Sequence, residues 1–299
     1  MRNRSLLCVV WACALPAALA AEVQVNVRTS GSQANAAVAG SPDSGSVVVW
    51  SSYYTTAGRS NDILARRLDP AGSLAGDEFI VNVTREGNQT EPAAAMDSRG
   101  AFAVAWQGPG LDAEDIFLQW FDPNGRPAGD EMLINIDTPG RQLYPSVALS
   151  DSGALAVVWE SREIVEDVNV IFVRAQFFHS NAAVVGDEIL VNTGSYDSRY
   201  PDVAVSGAGG LVVAWLEEQS TNRIMARRFD PNGTPVAEPF EVSTANIASL
   251  TRPAVAADAL GGFVIAWDGD PNRAGDDDIH ARLYDPNGTP AGEPFIVNT

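Results

Sequence analysis

Lysine is absent from this chain, and cysteine and histidine each occur only twice. All 19 basic residues are therefore arginine, set against 38 aspartates and glutamates, for a net charge of −19. A field of that sign repels nucleic acid and anionic lipid and gathers cations, so nucleic acid is excluded as a partner. Both cysteines, Cys8 and Cys13, fall within the first twenty residues. There Arg2 and Arg4 precede the apolar run Leu6 to Leu15, and Ala18-Leu19-Ala20 follows. That order is the layout of a secretory signal peptide with cleavage after Ala20. The run is shorter than the roughly 20 residues a spanning helix needs, and no second one exists, so no membrane span is expected.

Residues 21–299 then carry 38 acids against 17 arginines, about −21, and contain no cysteine. Disulfides, a thiol nucleophile and Cys-ligated metal are all excluded. A secreted chain of 279 residues without cross-links must rely on its core, and a 45% hydrophobic composition allows that.

What the chain has in abundance is repetition. Trp50, Trp106, Trp159, Trp215 and Trp267 recur at intervals of 56, 53, 56 and 52 residues. Each ends an apolar run, such as Val47-Val48-Val49-Trp50 or Val264-Ile265-Ala266-Trp267. Continuous apolar runs bounded by glycine read as strands buried on both faces. A Pro-led segment of small residues precedes each of the last four, as in Pro92-Ala93-Ala94-Ala95, and a turn at Gly45, Gly100, Gly153, Gly210 or Gly262 joins the two. After the Trp come a variable polar loop, an alternating strand such as Ile63-Leu64-Ala65-Arg66, and the turn Asp-Pro-Asn-Gly at Asp122, Asp230 and Asp285. Proline pre-sets φ in that turn and glycine accepts its left-handed position. A fourth strand ends each unit, from Phe79-Ile80-Val81-Asn82 to Phe295-Ile296-Val297-Asn298.

Four short strands per unit and five units predict an all-β fold, a single five-bladed β-propeller of four-stranded antiparallel blades over 21–299. The small Pro-led strands suit the crowded axis. A sixth copy of the Val-Asn strand, Val23-Gln24-Val25-Asn26, leaves one copy spare, and one chain end is expected to complete the ring by pairing with the other.

The unit Val-Asn-Thr, Gln-x-x-Pro, Gly-Gly-Phe-Val-Val-x-Trp, Ile-x-Ala-Arg, Asp-Pro-Asn-Gly, Gly-Asp-Glu-Phe resembles tandem repeats of about fifty residues in large bacterial secreted and surface proteins. Some of those proteins belong to the repeat-in-toxin group. The resemblance spans 22–299 and implies secretion and a propeller-like array. It brings no catalytic motif, and the glycine-aspartate nonapeptides of the toxins are missing here.

Chemistry is sparse. His280 stands where Leu64, Phe117 and Met225 stand in other units, and His179 replaces a turn Asp, so neither belongs to a Ser-His-Asp relay. Glycoside cleavage needs two carboxylates flanking the bond. The inner-strand positions Ala37, Ala93, Ser146, Asp202 and Ala254 supply one, Asp202, leaving the loop acids Glu160, Glu217 or Glu218 as its partner. Asp43, Asp97 and Asp151 read as turn residues bonding their own backbone. Acids that repeat with the unit are structural, so a site is expected in the loops after each Trp, which differ in length and content. The leading reading is a non-enzymatic binding or surface-interaction module for a protein or carbohydrate ligand. The alternative is a carbohydrate-active enzyme of glycoside hydrolase or sialidase-like type.

In the fifth loop Asp268, Asp270, Asn272 and Asp276 occupy relative positions 1, 3, 5 and 9, the oxygen spacing of a looped Ca²⁺ site. The loop also resembles calcium loops of integrin-type propeller blades, although Arg273 replaces the turn Gly and no Glu stands at position 12. Ca²⁺ is thus the one expected cofactor, with a Kd near 10⁻⁴–10⁻³ M as in extracellular modules. At tenfold excess, linkage gives about 1.4 kcal/mol, a melting shift of about 2–4 °C. Mg²⁺ at equal ionic strength should reproduce only the screening part of that shift. Asp270→Ala should abolish the Ca²⁺-specific remainder in a thermal melt, and equal responses of wild type and variant would reduce the loop to an acidic turn.

Overall fold

A computed structural model describes residues 22–53, 60–110, 113–135, 139–179, 183–194, 196–207, 209–220, 222–243, 252–269 and 277–298. Residues 1–20, the expected signal peptide, lie outside them, as do Asp270, Asn272 and Asp276 of the expected calcium loop. Blade one is β1 (Gln33–Ser41), β2 (Gly45–Tyr53), β3 (Asn61–Leu68) and β4 (Leu74–Ile80). Blade two is β5 (Thr90–Met96), β6 (Phe102–Pro109), β7 (Glu114–Phe121) and β8 (Met132–Leu133). Blade three is β9 (Arg141–Leu149), β10 (Leu155–Val165), β11 (Val168–Phe178) and β12 (Val184–Leu190). Blade four is β13 (Asp197–Val205), β14 (Leu211–Glu218), β15 (Arg223–Phe229) and β16 (Phe240–Glu241). Blade five is β17 (Ala254–Ala257), β18 (Phe263–Gly269), β19 (Asp278–Tyr284) and β20 (Phe295–Ile296). Each blade is one antiparallel four-stranded sheet with its strands in chain order, so the molecule is the expected five-bladed propeller. Among the described residues no helix is long and apolar enough to cross a membrane.

Every repeated residue type has a physical task. The five Trp side chains sit at the same place in their blades and are all at most 5% exposed. Those of blades two to five face the preceding blade, beside residues such as Phe102 and Val104, or Leu211 and Val213. Burying an indole requires an acceptor for its N–H. Trp50, Trp106 and Trp159 donate to Gln33, Gln89 and Gln142, each 17 residues earlier, at 2.9 Å. The Val-Asn ending works in the same way. Asn82, Asn135, Asn192 and Asn298 accept the amide of Ile63, Ile116, Val173 and Ile279 through Oδ1, while Ser243 does so for Ile224. In three of these units the Asn amide then donates to Asp62, Asp115 or Asp278, which makes those acids structural. The turn acids Asp69, Asp122, Asp230 and Asp285 each accept two amides, from the residues two and four ahead.

The structure corrects several local expectations. The acidic stretch after Trp159 is no loop: β10 and β11 continue as a long hairpin around Glu166-Asp167, whose φ values of 50° and 63° suit a primed two-residue turn. The left-handed glycines of the fourth and fifth inner turns are Gly209 and Gly261, one residue before the expected pair. Asp97 does bond its own turn, through the amides of Arg99 and Ala101. Asp151 instead accepts the Ser98 amide of blade two at 2.8 Å, tying neighbouring blades together.

Among the described residues neither chain end pairs with the other. The last Val-Asn stays in blade five, where Val297 N donates to Ile279 O at 2.7 Å. The first lies in no sheet and packs on blade one as a preceding blade would. Arg66 donates to Val25 O at 2.8 Å, just as Arg227 and Arg282 donate to Val191 O and Val242 O of the blades before them. Val27 N likewise donates to Glu78, as Val83 N does to Glu131 of the following blade. Because the N-terminal segment takes these partners, blade five does not seat there. Four blade junctions hold a packed apolar cluster, and among the described residues none spans blades five and one. Val297 is accordingly 55% exposed, whereas Val81, Ile134, Val191 and Val242 are at most 3%.

A blade with one uncovered face opens more easily than its neighbours. Amide exchange should therefore be fastest in β19 and β20 and slowest in β6, β10 and β14. Equal protection across the blades in a hydrogen-exchange experiment would refute an unsealed junction.

Candidate functional site

The inner strands β1, β5, β9 and β13 share an interruption. Their pairing with the Trp strand slips around Asn35, Glu91, Tyr144 and Tyr200, and each of these residues has a φ of 50–53°. Such a left-handed conformation costs a non-glycine residue about 1–2 kcal/mol. Three of the four also precede a proline, at Pro92, Pro145 and Pro201, which further restricts them. Strain of this kind persists only where surrounding contacts hold it, and it gathers at functional sites. Here the holding contacts come from the residue after the preceding Trp. Gln107 accepts the Tyr144 amide at 3.0 Å, and Glu160 accepts the Tyr200 amide at 3.4 Å.

The bulged residues and Arg252, the pre-proline residue of blade five, meet at one mouth of the axis. Asn35 donates to Glu91 Oε1 at 2.6 Å. Tyr144 and Tyr200 pack edge to face with centroids 5.4 Å apart. The Arg252 guanidinium lies 4.9 Å from one ring centroid and 4.6 Å from the other, a double cation–π contact. Among the described residues it makes no hydrogen bond or ion pair. The five blades thus offer an amide, a carboxyl, two phenols and a guanidinium from a single repeat position. Burial pushes the Glu91 carboxyl above its usual range, and the nearby charge of Arg252 only partly opposes this.

The acids singled out in the sequence lie elsewhere. Asp202, on β13, is half-buried and joins three blades: it accepts Ser146 Oγ of blade three at 2.7 Å and the Val255 amide of blade five at 2.8 Å. Burial raises its pKa as well, and those hydrogen bonds oppose the rise. Glu160 and Glu217 are buried strand residues rather than loop acids, paired with Arg162 at 2.7 Å and Arg223 at 2.6 Å. Glu218 pairs with Arg199 at 2.9 Å. His280 stacks on Trp267 at 5.9 Å and His179 sits exposed at its turn. Asp268 ends the apolar part of β18, and the other three residues of the calcium loop lie outside the described set.

The inner-strand positions Ala37, Ala93, Ser146, Asp202 and Ala254 do not include the axial ring. The signal lies two residues earlier: Asn35, Glu91, Tyr144, Tyr200 and Arg252 bring four different chemistries to one position of an otherwise regular repeat.

No family model and no curated protein matches the sequence. Solved structures match the fold. The alpha-L-arabinanase of Penicillium chrysogenum, complexed with arabinobiose, aligns with 89% of this chain and 81% of its own, at 12% identity and a TM-score of 0.58. A protein of unknown function from Dyadobacter fermentans gives the same TM-score, 0.58, at 9% identity over 89% of this chain and 83% of its own. A thermostable family-43 glycoside hydrolase follows at 0.52, with 13% identity over 89% and 93%. At such identities the likeness is one of fold.

The raised Glu91 pKa has a signed consequence. A carboxyl that holds its proton more tightly when folded gains nothing below its unfolded pKa and opposes folding increasingly as pH rises above about 4.5. Glu91→Gln should therefore gain stability relative to wild type as pH rises from 4.5 toward neutrality. Denaturant unfolding of both proteins across that range measures the difference, and a constant difference would place Glu91 in solvent.

Proposed function

We propose that the protein is a secreted binding module whose axial ring holds a saccharide without cleaving it. The observation that carries this reading is the convergence of Asn35, Glu91, Tyr144, Tyr200 and Arg252 on one mouth. A polyhydroxylated ligand needs donors and acceptors at fixed spacing and an aromatic surface for its C–H faces, and this ring holds both. The strained bulges present those side chains from rigid strands, which lowers the ordering cost of binding. One similarly folded propeller holds arabinobiose, which supports the ligand class.

Binding without cleavage follows from the carboxylates. Glycoside hydrolysis places an acid and a base or nucleophile on either side of the bond. Among the described residues the ring has one carboxyl, Glu91, and the half-buried Asp202 is engaged by Ser146 and Val255. Secretion, and calcium at the fifth loop, remain part of the reading on their sequence grounds.

A glycan array with the protein starting at Ala21 should give saccharide hits that weaken about tenfold, or about 1.4 kcal/mol, in Arg252→Ala and in Tyr200→Ala. Reducing-end release, followed in parallel, should stay at background. Hits unchanged by both substitutions would remove the axial ring from the function. Sugar release lost in Glu91→Gln would instead make the protein a glycosidase.

A further inference from the structure

Acids outnumber arginines two to one in this chain, 38 to 19. An arginine therefore finds a carboxylate easily. Among the described residues seven arginines pair with one, at closest distances of 2.6 to 3.1 Å. Four more, Arg66, Arg227, Arg228 and Arg282, donate to backbone carbonyls of another segment or blade. Arg252 does neither. It is exposed, and its guanidinium rests on the Tyr144 and Tyr200 rings at 4.9 and 4.6 Å. The segment just before it, Thr244 to Thr251, contains no acid. The ring's own acid, Glu91, lies within reach of the Arg252 charge, yet no ion pair joins them, and Glu91 accepts Asn35 at 2.6 Å instead.

A cation–π contact engages the charge of a guanidinium and consumes none of its N–H donors. The two rings hold the Arg252 head group in place, so less ordering is left for a ligand to impose. The mouth is thus bipolar. Tyr144, Tyr200 and Arg252 form a positive aromatic side on blades three to five, while Asn35 and Glu91 form a side of amide and carboxyl on blades one and two.

We propose that the axial ring selects saccharides that carry one carboxylate, a single uronic acid residue, and that Arg252 is the residue that selects them. This rests on the saccharide reading above and narrows it. A carboxylate is planar and matches the guanidinium fork with two parallel N–H bonds, which no sugar hydroxyl can do. Hydroxyls on the far side of the sugar donate to Glu91 and accept from Asn35. The protein's own charge limits the ligand to one such group. A run of uronates brings many like charges toward a chain of net charge −19. A single carboxylate meets Arg252 in direct contact, well inside the screening length of about 8 Å.

The test is a glycan array of oligosaccharides with a single glucuronate or galacturonate, each beside its methyl ester, followed by calorimetric titration of the best pair. The acid should bind about tenfold or more tightly than its ester, as a hydrogen-bonded charge pair allows. Arg252→Gln should bring the acid down to the ester, and Arg252→Lys should restore only part of the difference, because an ammonium lacks the fork. An ester that binds as tightly as its acid, or a preference that survives in Arg252→Gln, overturns the proposal. The acid and ester comparison on the wild-type protein decides the matter even if a variant folds poorly. Tighter binding of trigalacturonate overturns the limit to one carboxylate, and tighter binding of a sulfated neutral saccharide overturns the carboxylate itself. Neutral hits that weaken in Tyr200→Ala without any preference for acids remove this proposal and leave the saccharide reading standing, whereas silence from acidic and neutral saccharides alike removes both.

Discussion

Each blade after the first lays its Trp strand against the blade before it, and the rest of the molecule depends on that contact. The sheet of a single repeat is apolar on both faces of its central strands, so it cannot be stable alone. Stacking solves this, because the Trp face of one blade covers the smaller Ala and Val face of another. The indole is the largest side chain in the contact and the one with a polar handle. The repeat accordingly spends a conserved spacing within its own length, Gln to Trp, on satisfying one N–H.

The same dependence explains the ends of the propeller. Blade one has its Trp face covered by the segment around Val25, which takes the Arg66 and Glu78 partners that a neighbouring blade would use. Among the described residues blade five has no such cover, and its Ile279 and Val297 are exposed where the equivalent residues elsewhere are buried. Blade five therefore holds its outer strand by backbone pairing, without the packing that anchors the others. The closed circle of blades is interrupted at one junction, while the inner strands still converge tightly enough for Arg252 to reach rings on blades three and four.

Function and fold make opposite demands on the inner strand. Packing at the axis calls for small side chains, which the residues after each proline supply. Binding calls for large polar ones, and these enter through a bulge that turns a single residue of each strand out of the pairing. The strain is offset by hydrogen bonds that the Tyr144 and Tyr200 amides donate to Gln107 and Glu160, so two residues outside the ring help to set its geometry. Blade four shows the complementary case, in which a structural side chain is shortened and, among the described residues, the Trp215 N–H has no acceptor.

By itself the sequence determined the blade: its period, its four strands, the turn acids and the burial of every Trp. Those features arise from contacts within about twenty residues and from alternation along a strand, so they are written locally. Asn82 meets Ile63 and Gln89 meets Trp106 inside one repeat, whatever the other repeats do. Tertiary structure alone decided what crosses between repeats. Asn35 meets Glu91 across 56 residues, and Arg252 meets Tyr144 across a longer interval, because the propeller axis brings equivalent positions together. Whether Glu160 is a loop acid or a buried strut, and whether a Val-Asn strand joins the two ends, depended likewise on competition for partners in space. A linear pattern specifies which faces are apolar; only the assembled blades settle which of them are covered.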